Sequence, residues 1–356
     1  MDKFDFREES RNYVREFDGF YNAHAHGDRA FTYKDEYYEH VALAVSDVER
    51  LSLNEKQSLV WALHTGKAFT EDCIEERLER LIKESIKARV REIDTTIDVT
   101  YNTNLSSWNI AERLKAKYTD KICLKLGAYN VAGFKDSAPE RFEIFEEAAH
   151  KADFLVALAE KDRKQGHIGE KQHNVYMLRK GIELKKPVQF HVGQANTPED
   201  RGAELLFECM DWTYNILFRL RKEEYPKNML VHDISAACYS EEEFEKHCEK
   251  IKQFNLGVIC CPSAGISMKP NRKFNVPIHN SIARVWDYAI REIPVSIGTD
   301  NINDVFVPSS FPDLFYEINI LANSLRFYNP RILAKIACGK ELDNFDRGRI
   351  RRAIYE

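Results

Sequence analysis

Eight short apolar runs recur along the chain, and each is followed by enough amphipathic sequence for a helix. The runs are GFYNAHAH (19–26), REIDTTIDV (91–99), ICLKLGAY (122–129), DFLVALA (153–159), PVQFHV (187–192), NMLVHD (228–233), LGVICC (256–261) and PVSIGTD (294–300). Apolar, β-rich runs alternating with helical segments are the pattern of βα units on a parallel sheet. Eight such units predict an α/β fold of the (β/α)8 barrel type, and 356 residues suffice for one. The rival is a doubly wound open sheet, which normally carries a glycine-rich phosphate loop after an early strand. Neither GxGxxG nor a GxxxxGK loop occurs here.

The helical segments carry their own signals. Ser137, Thr197 and Ser240 each stand where an N-cap is wanted, with Glu140, Asp200 and Glu243 three residues later. Pro198 suits a first helical position. Between 70 and 90, Cys73, Ile74, Leu78, Leu81, Ile82 and Ile86 share one face with charges opposite.

Composition removes several classes of function. The 52 basic and 57 acidic residues give a net charge of −5, so nothing favours nucleic acid as a partner. No stretch approaches the roughly 18 consecutive apolar residues that a membrane span needs. The opening residues, MDKFDFREESRNYVREFDGF, are charged throughout and hold no apolar signal core. The eight cysteines show no CxxC, and reduced thiols in a cytoplasmic protein are the expectation. The adjacent Cys260 and Cys261 read as small buried hydrophobes.

The polar residues at the ends of the runs carry the chemistry. In a parallel barrel, side chains at the C-terminal strand ends face the catalytic mouth. The first run ends His24-Ala25-His26, the fifth reaches His191, the sixth ends His232-Asp233, and the eighth ends Thr299-Asp300. Residues two apart share a strand face, so His24 and His26 aim at one point. Four imidazoles and one carboxylate converging there suit zinc or iron(II). His40, His64, His150, His167, His173 and His247 fall in helical or loop stretches and read as structural.

The ordered pattern HxH, His, His, Asp resembles the amidohydrolase superfamily. Local stretches NAHAHGDRAFT, ADFLVALAEKDR, QFHVGQANTPED, VHDISA, CCPSAGISM and SIGTDNINDVFVP are similar to its cytosine deaminase and isopropylammelide amidohydrolase group. The resemblance spans about residues 18–340. It implies that His24, His26, His191 and Asp300 hold one divalent metal, zinc or iron(II). It implies that His232 polarises the attacking water and that Asp300 takes its proton. Asn130 and Asn301 match positions of substrate contact. The implied substrate is a small nitrogen heterocycle, and the implied activity is hydrolysis of a non-peptide carbon–nitrogen bond, deamination first.

Two departures stand against that pattern. Deaminases of this superfamily usually carry a glutamate three residues after the fifth-strand histidine, and here the residue is Gln194. An amide hydrogen-bonds substrate but shuttles no proton. Asp233, Asp300 alone, or Glu160 and Asp162 remain as replacements. The alternatives are hydrolysis of a cyclic amide or N-alkyl group without deamination, and a non-catalytic ligand-binding barrel. Glu160 and Lys161 are where a two-metal member would place a bridging ligand. The group also flanks its barrel with a β-sandwich, for which little chain is left. The expectation is one barrel domain over 1–356, with an N-terminal arm (1–17), a helical tail (340–356) and a possible homo-oligomeric state. Arg29, Tyr129, His279 and Asp304 are further candidates for the mouth.

Overall fold

The computed structural model describes residues 5–268 and 282–356. His279 lies outside the described residues. Eight parallel strands form one sheet in sequential order, β1 to β8. They are β1 (Phe20–His26), β2 (Val90–Asp98), β3 (Cys123–Tyr129), β4 (Phe154–Ala157), β5 (Val188–Val192), β6 (Met229–His232), β7 (Gly257–Cys260) and β8 (Val295–Ile297). Every apolar run supplies one strand, and helices separate them, as a (β/α)8 barrel requires.

The barrel closes between β1 and the segment after β8. Asp300 N donates to His24 O at 2.9 Å, and His26 N donates to Asp300 O at 3.0 Å. Asn22 locks the same seam: its Nδ2 donates to Thr299 Oγ1 at 2.9 Å and its Oδ1 accepts from Thr299 N at 3.0 Å. Gly298 permits this approach, because a Cβ there would stand 2.7 Å from His24 O. β8 is shorter than its run, ending at Ile297, and pairing with β1 resumes at an isolated bridge between Ala25 and Asp300, where φ is +57°. Among the described residues there is no second sheet.

Helix Glu71–Lys87 buries Ile74, Leu78, Leu81 and Ile82 against the barrel, as its periodicity requires. It also buries Arg77, which the pattern placed outside. The Arg77 guanidinium donates to Asp28 O, Ala30 O and Ala68 O at 2.6–2.8 Å. Irregular backbone after β1 leaves those carbonyls without ladder partners, and a buried cation satisfies them. Ser240 caps Glu241–Gln253 in a capping box with Glu243. Ser137 and Thr197 do not cap. Their helices begin at Glu140 and Gly202, with Pro139 and Arg201 at the cap positions. Asp200 is drawn instead to Ala195 N (3.0 Å) and Ser235 Oγ (3.0 Å), tying the loop after β5 to the one after β6.

Helices Phe6–Glu16 and Asn344–Tyr355 flank the barrel at either end of the chain. All eight cysteines are free. Among the described residues no helix is long and apolar enough to cross a membrane.

Candidate metal centre

Three histidines and one aspartate from three places in the chain meet at the C-terminal end of the barrel. His24, His26, His191 and Asp300 each offer a ligand atom, and these atoms lie within 4.8 Å of one another. All four residues are buried. His24 and His26 come from one face of β1, His191 from β5, and Asp300 from the turn that closes the barrel.

The rings are held from behind. Gln189 Nε2 donates to Ala23 O at 3.0 Å, which leaves its Oε1 to accept from His24 Nδ1 at 2.6 Å. His191 Nδ1 donates to Ala157 O at 3.2 Å. His26 Nδ1 meets Thr96 Oγ1 at 2.7 Å and the Arg29 guanidinium. With their protons committed on the far side, His24 and His191 turn bare Nε2 lone pairs toward each other at 3.2 Å. Two lone pairs at that distance repel unless a cation lies between them. Asp300 Oδ1 is buried without a hydrogen-bond partner, 3.0 Å from His26 Nε2 and 3.6 Å from His24 Nε2. A hard-to-borderline divalent cation answers both features, and outer partners of this kind orient metal-bound imidazoles.

Electrostatics agree with the geometry. Burial, aided by the Arg29 charge, pushes His26 down to about 3. Burial pushes His232 down to about 4 and holds His191 well below its usual value. His26, His191 and His232 are therefore neutral at pH 7. Burial opposes ionisation of Asp300, yet the surrounding His24, His26 and His232 rings hold the carboxyl well below the usual range.

A cavity of about 550 Å³ opens above this cluster. His232 and Asn301 line it, and His232 Nε2 lies 3.7 Å from Asp300 Oδ2. Asn301 keeps a buried amide oxygen without a partner. Gln194 lines the cavity and donates from Nε2 to Glu160 Oε1 at 3.3 Å. Asn130 is absent from the wall. Its amide closes its own turn, donating to Gly133 O and accepting from Ala132 N, both at 3.1 Å.

Other candidates are engaged elsewhere. Asp162 accepts from Phe134 N, His167 and His173. Asp304 accepts from Phe306 N and Val307 N in its own turn. Glu160 is outside the ligand cluster, and burial, aided by the Lys164 charge, pushes the Lys161 amine down to about 8. Tyr129 and Arg29 do line the cavity, with Arg29 3.4 Å from Asp98 and over the Tyr129 ring. Burial raises both the Cys260 and Cys261 thiols, which suits inert core residues.

Sequence reasoning missed Gln189 and Gln57. Gln189 was within reach, since it precedes His191 by two residues and so shares its strand face. Gln57 belongs to an excursion after β1 that also brings Val48, Leu51 and Leu53 to the cavity, and no periodicity marks it.

The architecture recurs in solved enzymes. A 5-methylcytosine deaminase from Klebsiella pneumoniae superposes with a TM-score of 0.71 at 16% identity, over 94% of this chain and 82% of that one. The N-isopropylammelide isopropylaminohydrolase of Burkholderia multivorans gives 0.66 at 14% identity, over 90% and 72%. The chain shares the (β/α)8 barrel fold of these enzymes. By sequence, an uncharacterised protein of Haemophilus influenzae is 24% identical over 265 residues, which is 74% of this chain and 88% of that protein. No protein-family model matches the chain.

Proposed function

We propose that this chain is a metal-dependent hydrolase of a non-peptide carbon–nitrogen bond in a small nitrogen heterocycle, with deamination of a cytosine-like ring as its first activity. The observation that carries this reading is the pair of unprotonated Nε2 atoms, His24 and His191, facing each other 3.2 Å apart beneath the cavity. The shared barrel with heterocycle hydrolases supports it.

His24, His26, His191 and Asp300 would hold one divalent ion, zinc or iron(II), since no further ligand joins the cluster among the described residues. Such an ion supplies Lewis-acid chemistry and lowers the pKa of water to about 7. The residues divide the remaining work. Asp300 turns Oδ1 toward His24 and His26 and Oδ2 toward His232. Oδ2 is free to take a proton from water as oxygen attacks the ring carbon, and to return it to the departing nitrogen. His232, neutral at pH 7, donates a hydrogen bond to the oxygen on which charge develops. The partnerless Asn301 oxygen accepts from a ring N–H.

A second reading has its own support. Gln194 gives its amide hydrogens to Glu160 and moves no proton, so ring protonation ahead of ammonia loss lacks its usual donor. Hydrolysis that releases an alkylamine is the alternative. Purified protein loaded with zinc or iron(II) is tested on cytosine, 5-methylcytosine and N-alkylaminotriazines, with separate assays for ammonia and amine. Ammonia release, lost by at least 100-fold in Asp300→Asn, is the expected result. Amine without ammonia moves the assignment to the second reading. Neither product from any substrate, with metal bound, overturns both.

A further inference from the structure

His232 differs from the other histidines of the centre in how it is held. Gln189, Thr96 and Ala157 O each fix one ligand ring at Nδ1. Among the described residues no hydrogen bond reaches the ring of His232; Asp300 Oδ2 lies 3.7 Å from its Nε2, and the His191 ring packs beside it with centroids 5.5 Å apart. With no hydrogen bond at Nδ1 to set it, the aim of the ring depends on the backbone that carries it.

That backbone is unusual. His232 has φ +77° and the next residue, Asp233, has φ +48°. Left-handed conformations are costly for non-glycine residues, and persist only where surroundings over-determine them. Here Asp233 N donates to Val192 O at 3.0 Å, and Ser235 N donates to Gly193 O at 2.8 Å. Gly193 at φ +63° lets the two turns nest, since a Cβ on it would lie 3.1 Å from Asp233 Cα. The side chain of Asp233 points away from the cavity, into the helix layer. Its Oδ2 accepts from His247 Nε2 at 2.8 Å and from Tyr288 Oη at 2.6 Å. Asp233, His247 and Tyr288 are all buried.

We propose that Asp233, gripped by His247 and Tyr288, is the positioning residue that aims His232 over the metal centre. The two helices carrying His247 and Tyr288 hold the carboxylate, the carboxylate holds the left-handed turn, and the turn directs the imidazole. His247 and Tyr288 touch no cavity atom of the centre, so they act through Asp233. The catalytic value of this tether rests on the function proposed above; the tether itself does not.

The test therefore reads the ring directly. Zinc-loaded full-length protein is labelled with 15N-histidine, and the His232 ring signals are assigned by their loss in His232→Gln. Asp233→Gly keeps a residue suited to positive φ and removes the grip. Asp233→Asn keeps an oxygen that accepts from both donors and tolerates the left-handed turn. In Asp233→Gly, the tautomer ratio of His232 should move by at least threefold and its signals broaden, while those of His24, His26 and His191 stay in place. Asp233→Asn should restore the wild-type pattern. If Asp233→Gly does not fold, Tyr288→Phe, which removes one donor, is read the same way and should shift His232 alone. His232 signals unchanged in the folded variant, or all four histidines shifting together, overturn the proposal. Loss of heterocycle turnover in every variant and in wild type would indict the functional reading and leave the tether standing.

Discussion

Gln189 Oε1 accepts a hydrogen bond from His24 Nδ1 at 2.6 Å across the barrel interior. The relationship decides the tautomer of His24, because Gln189 Nε2 is already given to Ala23 O. With the proton on Nδ1, His24 Nε2 is a ligand and not a donor. Gln189→Leu removes that decision while keeping a side chain of similar length. Outer-sphere partners of this kind are worth about 10–100-fold in metal affinity. The variant should stay folded by circular dichroism and lose zinc to a competing chelator at a concentration about tenfold lower or more. Wild-type retention would mean that the barrel alone sets the ring.

The barrel was legible because each strand interior is an apolar run and each crossover is a helix with one apolar face. The gathering of His24, His26, His191 and Asp300 was legible for a related reason: a polar residue buried at the end of such a run is tolerated only when it is paired. What failed were contacts made between distant loops. Thr197 looked like a cap until Asp200, three residues on, turned out to bond Ser235. Arg77 looked solvent-facing on its helix, and its burial depends on carbonyls from residues 28–68 that no helical periodicity reports. Asn130 matched a substrate-reading position, yet its amide is consumed by a local turn.

Glu160 joins two cavity-lining amides. Its Oε1 accepts from Gln57 Nε2 at 2.9 Å and from Gln194 Nε2 at 3.3 Å. An ionised carboxylate only accepts, so both amides must spend nitrogen on it and keep their oxygens for substrate. Glu160→Ala lets either amide turn over. On the functional reading, KM for an N–H-bearing heterocycle should rise about tenfold with kcat little changed, since the loss is of uniform binding. An equal fall in kcat and kcat/KM would instead place Glu160 in the proton path.

Glu317 sits fully buried behind the centre, accepting from Ser263 N at 2.8 Å and Ser263 Oγ at 2.6 Å. Burial outweighs those bonds and pushes its carboxyl up to about 8. In the unfolded chain the same group titrates near 4.3. Between these values the unfolded state has released its proton and the folded state keeps it, so stability contributed by this group falls as pH rises. Glu317→Gln removes the titration. The stability of the variant relative to wild type should climb from pH 5 to 8, by on the order of 1 kcal/mol per pH unit at most. Urea unfolding at several pH values measures it, and a gap constant with pH would refute the raised value.

Gly298 sets how closely β8 approaches β1. A Cβ there would meet His24 O at 2.7 Å and His24 N and Cβ at 2.9 Å, all on or beside rigid backbone. Gly298→Ala must therefore push the two strands apart at the point where Asp300 N bonds His24 O and Asp300 O bonds His26 N. Overpacking of this kind costs about 1–3 kcal/mol. Because the displaced residue is a metal ligand, zinc affinity should fall together with stability. Gly348→Ala is the matched control. It lies in the helix Asn344–Tyr355, where the nearest atom to an added Cβ is the far end of Arg352 at 3.9 Å. Alanine is the better helix former there by roughly 0.5–1 kcal/mol. The control should unfold at higher urea with zinc affinity unchanged. Gly298→Ala matching it in both measurements would show that the seam has slack, and that closure does not place the ligands.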